Sequence, residues 1–221
     1  MTFNSIVKFC FLVILNGTTV LWGQANEQIK ELDSSGYSNN LMALSLKFGG
    51  NKTIPSGIEL LTLTALSYFP ELKNTEIHFK KANIKTSMNA QPTLLSLLFR
   101  RKSKRKYVIR YADNNDSTKV LFKHASFNAQ VGVLAHELNH VVDFSSKNLL
   151  GVIGRGFSYT SKTKKARFEK HIDQMAIEKG FGWQLYDWAT FILDGDTASE
   201  EYKEFKREIY LEPEEIKSAL K

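Results

Sequence analysis

The segment 133–142 constrains the fold of this chain more than any other. Val133-Leu134-Ala135-His136-Glu137-Leu138-Asn139-His140-Val141-Val142 sets two histidines four residues apart among apolar neighbours. On a helix that spacing projects both imidazoles from one face, where they can chelate a single ion. The apolar residues at 133, 134, 138, 141 and 142 bury the remaining faces, which a metal site needs in order to fix its ligands. The fold must therefore bring a second element, carrying further donors, against the His136 and His140 face. One Cys in 221 residues excludes a thiolate-rich site, so the donors must be His and carboxylates.

Glu137 follows His136 directly, so it flanks a bound ion without having to ligate it. A carboxylate there can take a proton from a metal-bound water, whose pKa zinc lowers to about 7, and deliver it to a leaving amine. This is the HExxH pattern of zinc hydrolases, with His136 and His140 as ligands of one Zn²⁺ ion and Glu137 as the catalytic base. Such a zinc takes a third protein ligand and leaves the fourth position to water. Downstream, Glu169 and Asp173 lie four apart and share one helix face. Glu169 can complete the ligand set, while Asp173 accepts a hydrogen bond from the outer N–H of a ligand histidine and fixes its tautomer. Two alternatives stay open. Asp143, three residues after His140, shares its face and can act as ligand or as a supporting partner. His171 offers a three-His site but points about 160° away from Glu169 and Asp173 on a helix.

Around this centre the chain has the make-up of an ordinary globular protein, with 43% apolar and only 24% charged residues and few Pro or Gly, which excludes disorder and collagen-like repeats. The first 25 residues stand apart. A lone Lys8 precedes the apolar run Phe9 to Leu15, and Gly23 and Ala25 offer small residues for cleavage, so 1–25 reads as a secretory signal peptide. A membrane anchor wants about 20 continuous apolar residues, and Asn16-Gly17-Thr18-Thr19 interrupts this stretch. The expected protein is secreted or periplasmic, without an integral span after cleavage. Residues 26–221 show no repeat and no linker, and are expected to form one domain.

Within that domain, apolar residues at 58, 61, 65, 66 and 69 predict a core helix over 57–69, with Ser56 as a cap and Pro70 as its end. Period-two alternation predicts strands over 75–82, 106–111 and 119–123. The Asp113-Asn114-Asn115-Asp116 run suggests that the last two form an antiparallel hairpin. Helix is expected over 131–144 and over 165–193, broken near Gly180-Phe181-Gly182, with a charged amphipathic tail over 200–221 around Pro213. This order predicts an α+β fold: helices segregated from a small, mostly antiparallel sheet.

His136-Glu137-Leu138-Asn139-His140, followed about thirty residues later by Phe168-Glu169, Asp173 and Ala176, resembles the gluzincin class of zinc metallopeptidases. The resemblance covers about fifty residues. It implies a zincin-like fold in which an edge strand beside the active-site helix pairs with an extended peptide substrate; the segment 120–127, just before the helix, would be that strand. It also implies zinc-dependent peptide hydrolysis. Tyr159, Tyr186, Arg155 and His124 are all available as donors to the oxyanion.

Two other readings of the motif stand beside this one: a zincin-fold binding protein without turnover, against which the intact Glu137 speaks, and a zinc hydrolase acting on a cell-envelope amide. The net charge of +7 owes much to Arg100 through Lys106, six cations in seven residues. Such a run suits nucleic acid in general, but in an exported chain it fits an anionic envelope polymer or plain solvation, and no nucleic-acid partner is expected. The aromatic residues Trp183, Tyr186 and Trp188 are spaced for helix packing, and His78 and His124 read as structural or surface groups.

Overall fold

The computed structural model describes residues 28–112, 122–196 and 198–220; the proposed signal segment lies outside them. The element order is α1 (Ser34–Asn39), α2 (Leu41–Phe48), β1 (Lys52–Thr53), α3 (Glu59–Ser67), β2 (Glu76–Lys81), β3 (Met88–Pro92), α4 (Leu94–Phe99), β4 (Lys106–Tyr111), α5 (Phe127–Ser146), α6 (Leu149–Gly156), α7 (Lys162–Ala176), α8 (Gly182–Asp194), α9 (Glu200–Ile209) and α10 (Pro213–Ala219). The class is α+β, as the sequence order predicts.

The sheet departs from expectation in its pairing. Its four strands run in the order β1-β2-β4-β3, with β1 and β4 both parallel to β2 and β3 antiparallel to β4. It is therefore mixed and not mostly antiparallel. Parallel neighbours need a long crossover, and α3 provides it between β1 and β2. In β2 the expected alternation holds: Ile77 and Phe79 enter the core while Glu76, His78 and Lys80 face outward. The hairpin expected after Lys106–Tyr111 is replaced. Residues 113–121 lie outside the described residues, Phe122–His124 form a 3-10 turn, and the antiparallel partner of β4 is β3, which precedes it. The sequence Met88-Asn89-Ala90-Gln91-Pro92 alternates apolar and polar residues but is short and holds no β-branched or aromatic residue to announce a strand. Its terminal proline suits a sheet edge, where a missing N–H breaks no ladder.

The edge strand beside the motif helix is accordingly β3, in place of the segment 120–127. That segment turns through Phe122–His124 and enters α5 at Phe127 because Ser126 caps the helix, its hydroxyl accepting from the Ala129 N–H at 3.1 Å. α5 runs through the middle of the molecule, packed by α3, α7, α8 and β3. Leu134, Ala135, Leu138 and Val141 are fully enclosed, each leucine contributing about 2 kcal/mol through burial. The helix of 57–69 is shorter than expected at both ends; Ile58, not Ser56, occupies its cap position, and Pro70 opens a 3-10 turn beyond it.

The break anticipated near residue 180 is a π-turn over Ile177–Phe181, with Gly180 in the left-handed region (φ 97°) that glycine adopts without strain. It redirects the chain so that α7 and α8 both pack on α5. α8 approaches α5 so closely that a Cβ on Gly132 would stand 2.2 Å from the Gln184 carbonyl oxygen. Asn128 ties this junction together: its Oδ1 accepts from Leu32 N–H and Gln184 Nε2, and its amide donates to Asp187.

Candidate metal centre

His136 and His140 are buried on the face of α5 that meets α7. Ser161 caps α7, and the inner face of that helix alternates apolar Phe168, Ile172 and Ala176 with buried Glu169 and Asp173. The apolar residues seat the helix, and the two acids one turn apart are carried onto the histidines. His136 Nε2 and His140 Nε2 are 3.1 Å apart, and Glu169 Oε2 is 3.2 Å from each. Donors about 2.0–2.1 Å from a tetrahedral zinc stand roughly 3.3 Å from one another, so these three atoms already have the spacing of three corners of such a site. Among the described residues they are the one group of three ligating side chains gathered in this way.

The surroundings fix the orientation of each donor. Asp173 Oδ1 lies 2.7 Å from His136 Nδ1 and its Oδ2 accepts the Leu211 N–H at 2.9 Å. With the proton of His136 on Nδ1, the Nε2 lone pair turns toward Glu169 and His140. Tyr159 donates its hydroxyl to Glu169 Oε1 at 2.9 Å, which leaves Oε2 for the two imidazoles. The His140 ring is stacked on Phe144 and met edge-on by Phe168. Three lone pairs thus converge in a buried space, an arrangement that calls for a positive charge among them.

Electrostatics agree. Burial disfavours a charged imidazole at His136, yet Asp173 and Glu169 outweigh it and raise its pKa to about 10. Burial pushes Glu169 up, and the two histidines more than reverse this, holding it well below the ordinary carboxyl value. Glu137 differs: burial raises its pKa while the neighbouring histidines oppose. Its Oε2 is buried without a protein partner, an orphaned acceptor beside the three donors. Buried polar atoms are normally paired, so an unpaired carboxylate here fits a site completed by a ligand.

The remaining residues singled out in the sequence sort by position. Asp143 does not join the cluster. Arg155 Nε and Nη2 each donate to its carboxylate at 2.8 Å, and Lys147 adds a third contact at 2.9 Å. Arg155 in turn lies over the Phe168 ring, 4.7 Å from its centroid, so this pair buttresses the ring that touches His140. That engagement commits Arg155 Nε and Nη2 to Asp143. His171 is exposed on the far side of α7, as its helical angle requires, and His124 is exposed in the 3-10 turn. Tyr186 packs on Trp183 away from the donors, and His78 pairs with Glu76 at 3.0 Å.

Two residues carried no local sequence signal. Tyr210, in the turn between α9 and α10, sets its ring 5.6 Å from that of His136; burial, with Glu169 and Glu137 facing it, pushes its hydroxyl well above the ordinary value. Lys206 stands 4.2 Å from the Tyr210 ring centroid. Together with His136, Glu137, Val133 and Trp188 they line a small cavity of about 40 Å³ next to the donors. Compared with known proteins, the chain matches no protein family, no curated protein and no solved structure.

Proposed function

We propose that this chain is an exported zinc-dependent metallopeptidase of the gluzincin type. The observation that carries the reading is the convergence of His136 Nε2, His140 Nε2 and Glu169 Oε2 at mutual distances of 3.1–3.2 Å beside the unpaired, buried Oε2 of Glu137. His136, His140 and Glu169 would hold the zinc, which when bound polarises a water and the scissile carbonyl.

The chain's own groups supply the rest. Glu137 accepts the proton of the attacking water and returns it to the leaving nitrogen; its raised pKa brings it closer to neutrality, where a general base is most effective. Asp173 keeps His136 in the tautomer that presents Nε2. Tyr210, with its hydroxyl kept protonated, is the O–H group available to the carbonyl oxygen, since Tyr159 already donates to Glu169. β3, the sheet edge packed on α5, offers main-chain groups to an extended peptide.

The test is metal analysis of the purified protein together with a peptide-library cleavage profile. About one zinc per chain is expected, with cleavage abolished by chelator and by Glu137→Gln, the latter retaining metal. Unchanged turnover in Glu137→Gln would remove the role of the base. Stoichiometric zinc with no cleavage of any peptide would favour a binding protein or an amide hydrolase.

A further inference from the structure

α4 is built inside out. Its buried residue is the polar Ser96 (3% exposed), whose hydroxyl is satisfied by the main chain of Thr93 and Lys106. Of its five apolar residues Leu97 alone packs against the core; Leu94, Leu95, Leu98 and Phe99 are 69, 72, 49 and 80% exposed. Four large apolar side chains on one short helix reverse the polarity of a core element, and contiguous exposure of this kind marks an interaction surface.

The cations follow without a gap. Arg100, Arg101, Lys102 and Lys104 are exposed. Lys102 Nζ donates to the Ser146 carbonyl and Arg105 Nη1 to the Lys147 carbonyl, both at 2.7 Å, so the run is fastened against the end of α5. α6 begins there, and that stretch also exposes Leu150, Ile153 and Phe157.

The choice of partner follows from the order of these groups. A negatively charged bilayer presents phosphates at its surface and acyl chains a few ångströms deeper. Leucine and phenylalanine side chains can enter the acyl boundary while adjacent Arg and Lys remain at the phosphates. A nucleic acid would match the cations and leave the leucines in water. No helix among the described residues is long and apolar enough to cross a membrane, so attachment here is to the surface. We propose that α4 and the run 100–104 form a docking surface for an anionic lipid bilayer. The inference is independent of the hydrolytic reading.

The test uses the full chain with Cys10→Ser and Phe99→Cys, labelled at residue 99 with a fluorophore sensitive to its surroundings. Vesicles of phosphatidylcholine with phosphatidylglycerol should shift its emission to the blue; vesicles of phosphatidylcholine alone should not. Adding Arg101→Gln and Lys104→Gln should raise the lipid concentration for half-maximal shift by about 30-fold, since each cation near such a surface adds about a factor of five. Circular dichroism and the urea midpoint should stay those of the parent. Because the probe reports on residue 99 itself, attachment through residues 1–27 alone gives no shift, and that result would overturn the proposal. So would an equal shift on neutral vesicles, or a lipid-independent shift growing with protein concentration, which would assign the face to a second copy of the chain.

Discussion

Asp173 divides its two carboxylate oxygens between His136 and the Leu211 N–H, so one side chain sets both a ligand's tautomer and the position of the turn that carries Tyr210. Asp173→Asn should weaken zinc binding by about 10–100-fold, the usual cost of losing such a partner, as read by competition with a chromogenic chelator. An unchanged affinity would mean that His136 is oriented by packing alone. Asp143 makes a contrasting case. Burial pushes its carboxyl up, but Arg155 and Lys147 more than offset this and hold its pKa below the ordinary 3.8. A carboxyl depressed on folding contributes stability above its unfolded pKa and loses it as pH falls through the folded value. Asp143→Asn should therefore cost about 2 kcal/mol at pH 7, with both cations partly solvated. The gap from the parent should close in urea titrations as the pH falls through the depressed pKa of the native carboxyl, where the folded form is protonated too. A gap that persists in acid would assign the loss to packing.

Among the elements, α5 and α8 form the tightest pair, and Gly132 permits it. Gly132→Ala would drive a methyl into the Gln184 carbonyl at 2.2 Å, a backbone group that cannot rotate away. Overpacking of this kind costs about 3 kcal/mol, and the displaced helix is the one that carries His136, Glu137 and His140. Thermal unfolding and zinc affinity should therefore fall together; a stable variant with parental affinity would show that α8 can yield. α7 was legible in the sequence as a helix with an acidic inner stripe because its period is local. β3 was not, since a five-residue strand of mixed polarity gains its stability from β4 on one side and α5 on another, and neither neighbour is written into its own pattern.

For the molecule as a whole, the ligand set joins α5 to α7 across about thirty residues of sequence, with the α9–α10 turn packed beside it, so an ion there would act as a cross-link in the native state alone. A ligand that binds the folded form at a hundredfold excess over its Kd stabilises it by about 2.7 kcal/mol. In a chain of this size that is about 5–10 °C in Tm. Chelator should lower Tm by this amount and zinc should restore it, with the effect fading in acid as protons displace the metal from the histidines; calorimetry showing no difference would argue against a bound ion. The sequence by itself determined the helical frame of the site, the pairing of His136 with His140 and of Glu169 with Asp173 on single faces, and the break near Gly180. All of these follow from spacing along one helix or from the conformational freedom of one residue. Only the tertiary structure decided that α7 faces α5 at zinc-like distances, that Arg155 engages Asp143, that Tyr159 and Tyr210 reach the donors, and that β3 is the edge beside them. Those outcomes depend on how distant segments bury their apolar faces against one another, a global balance that no short window of residues contains.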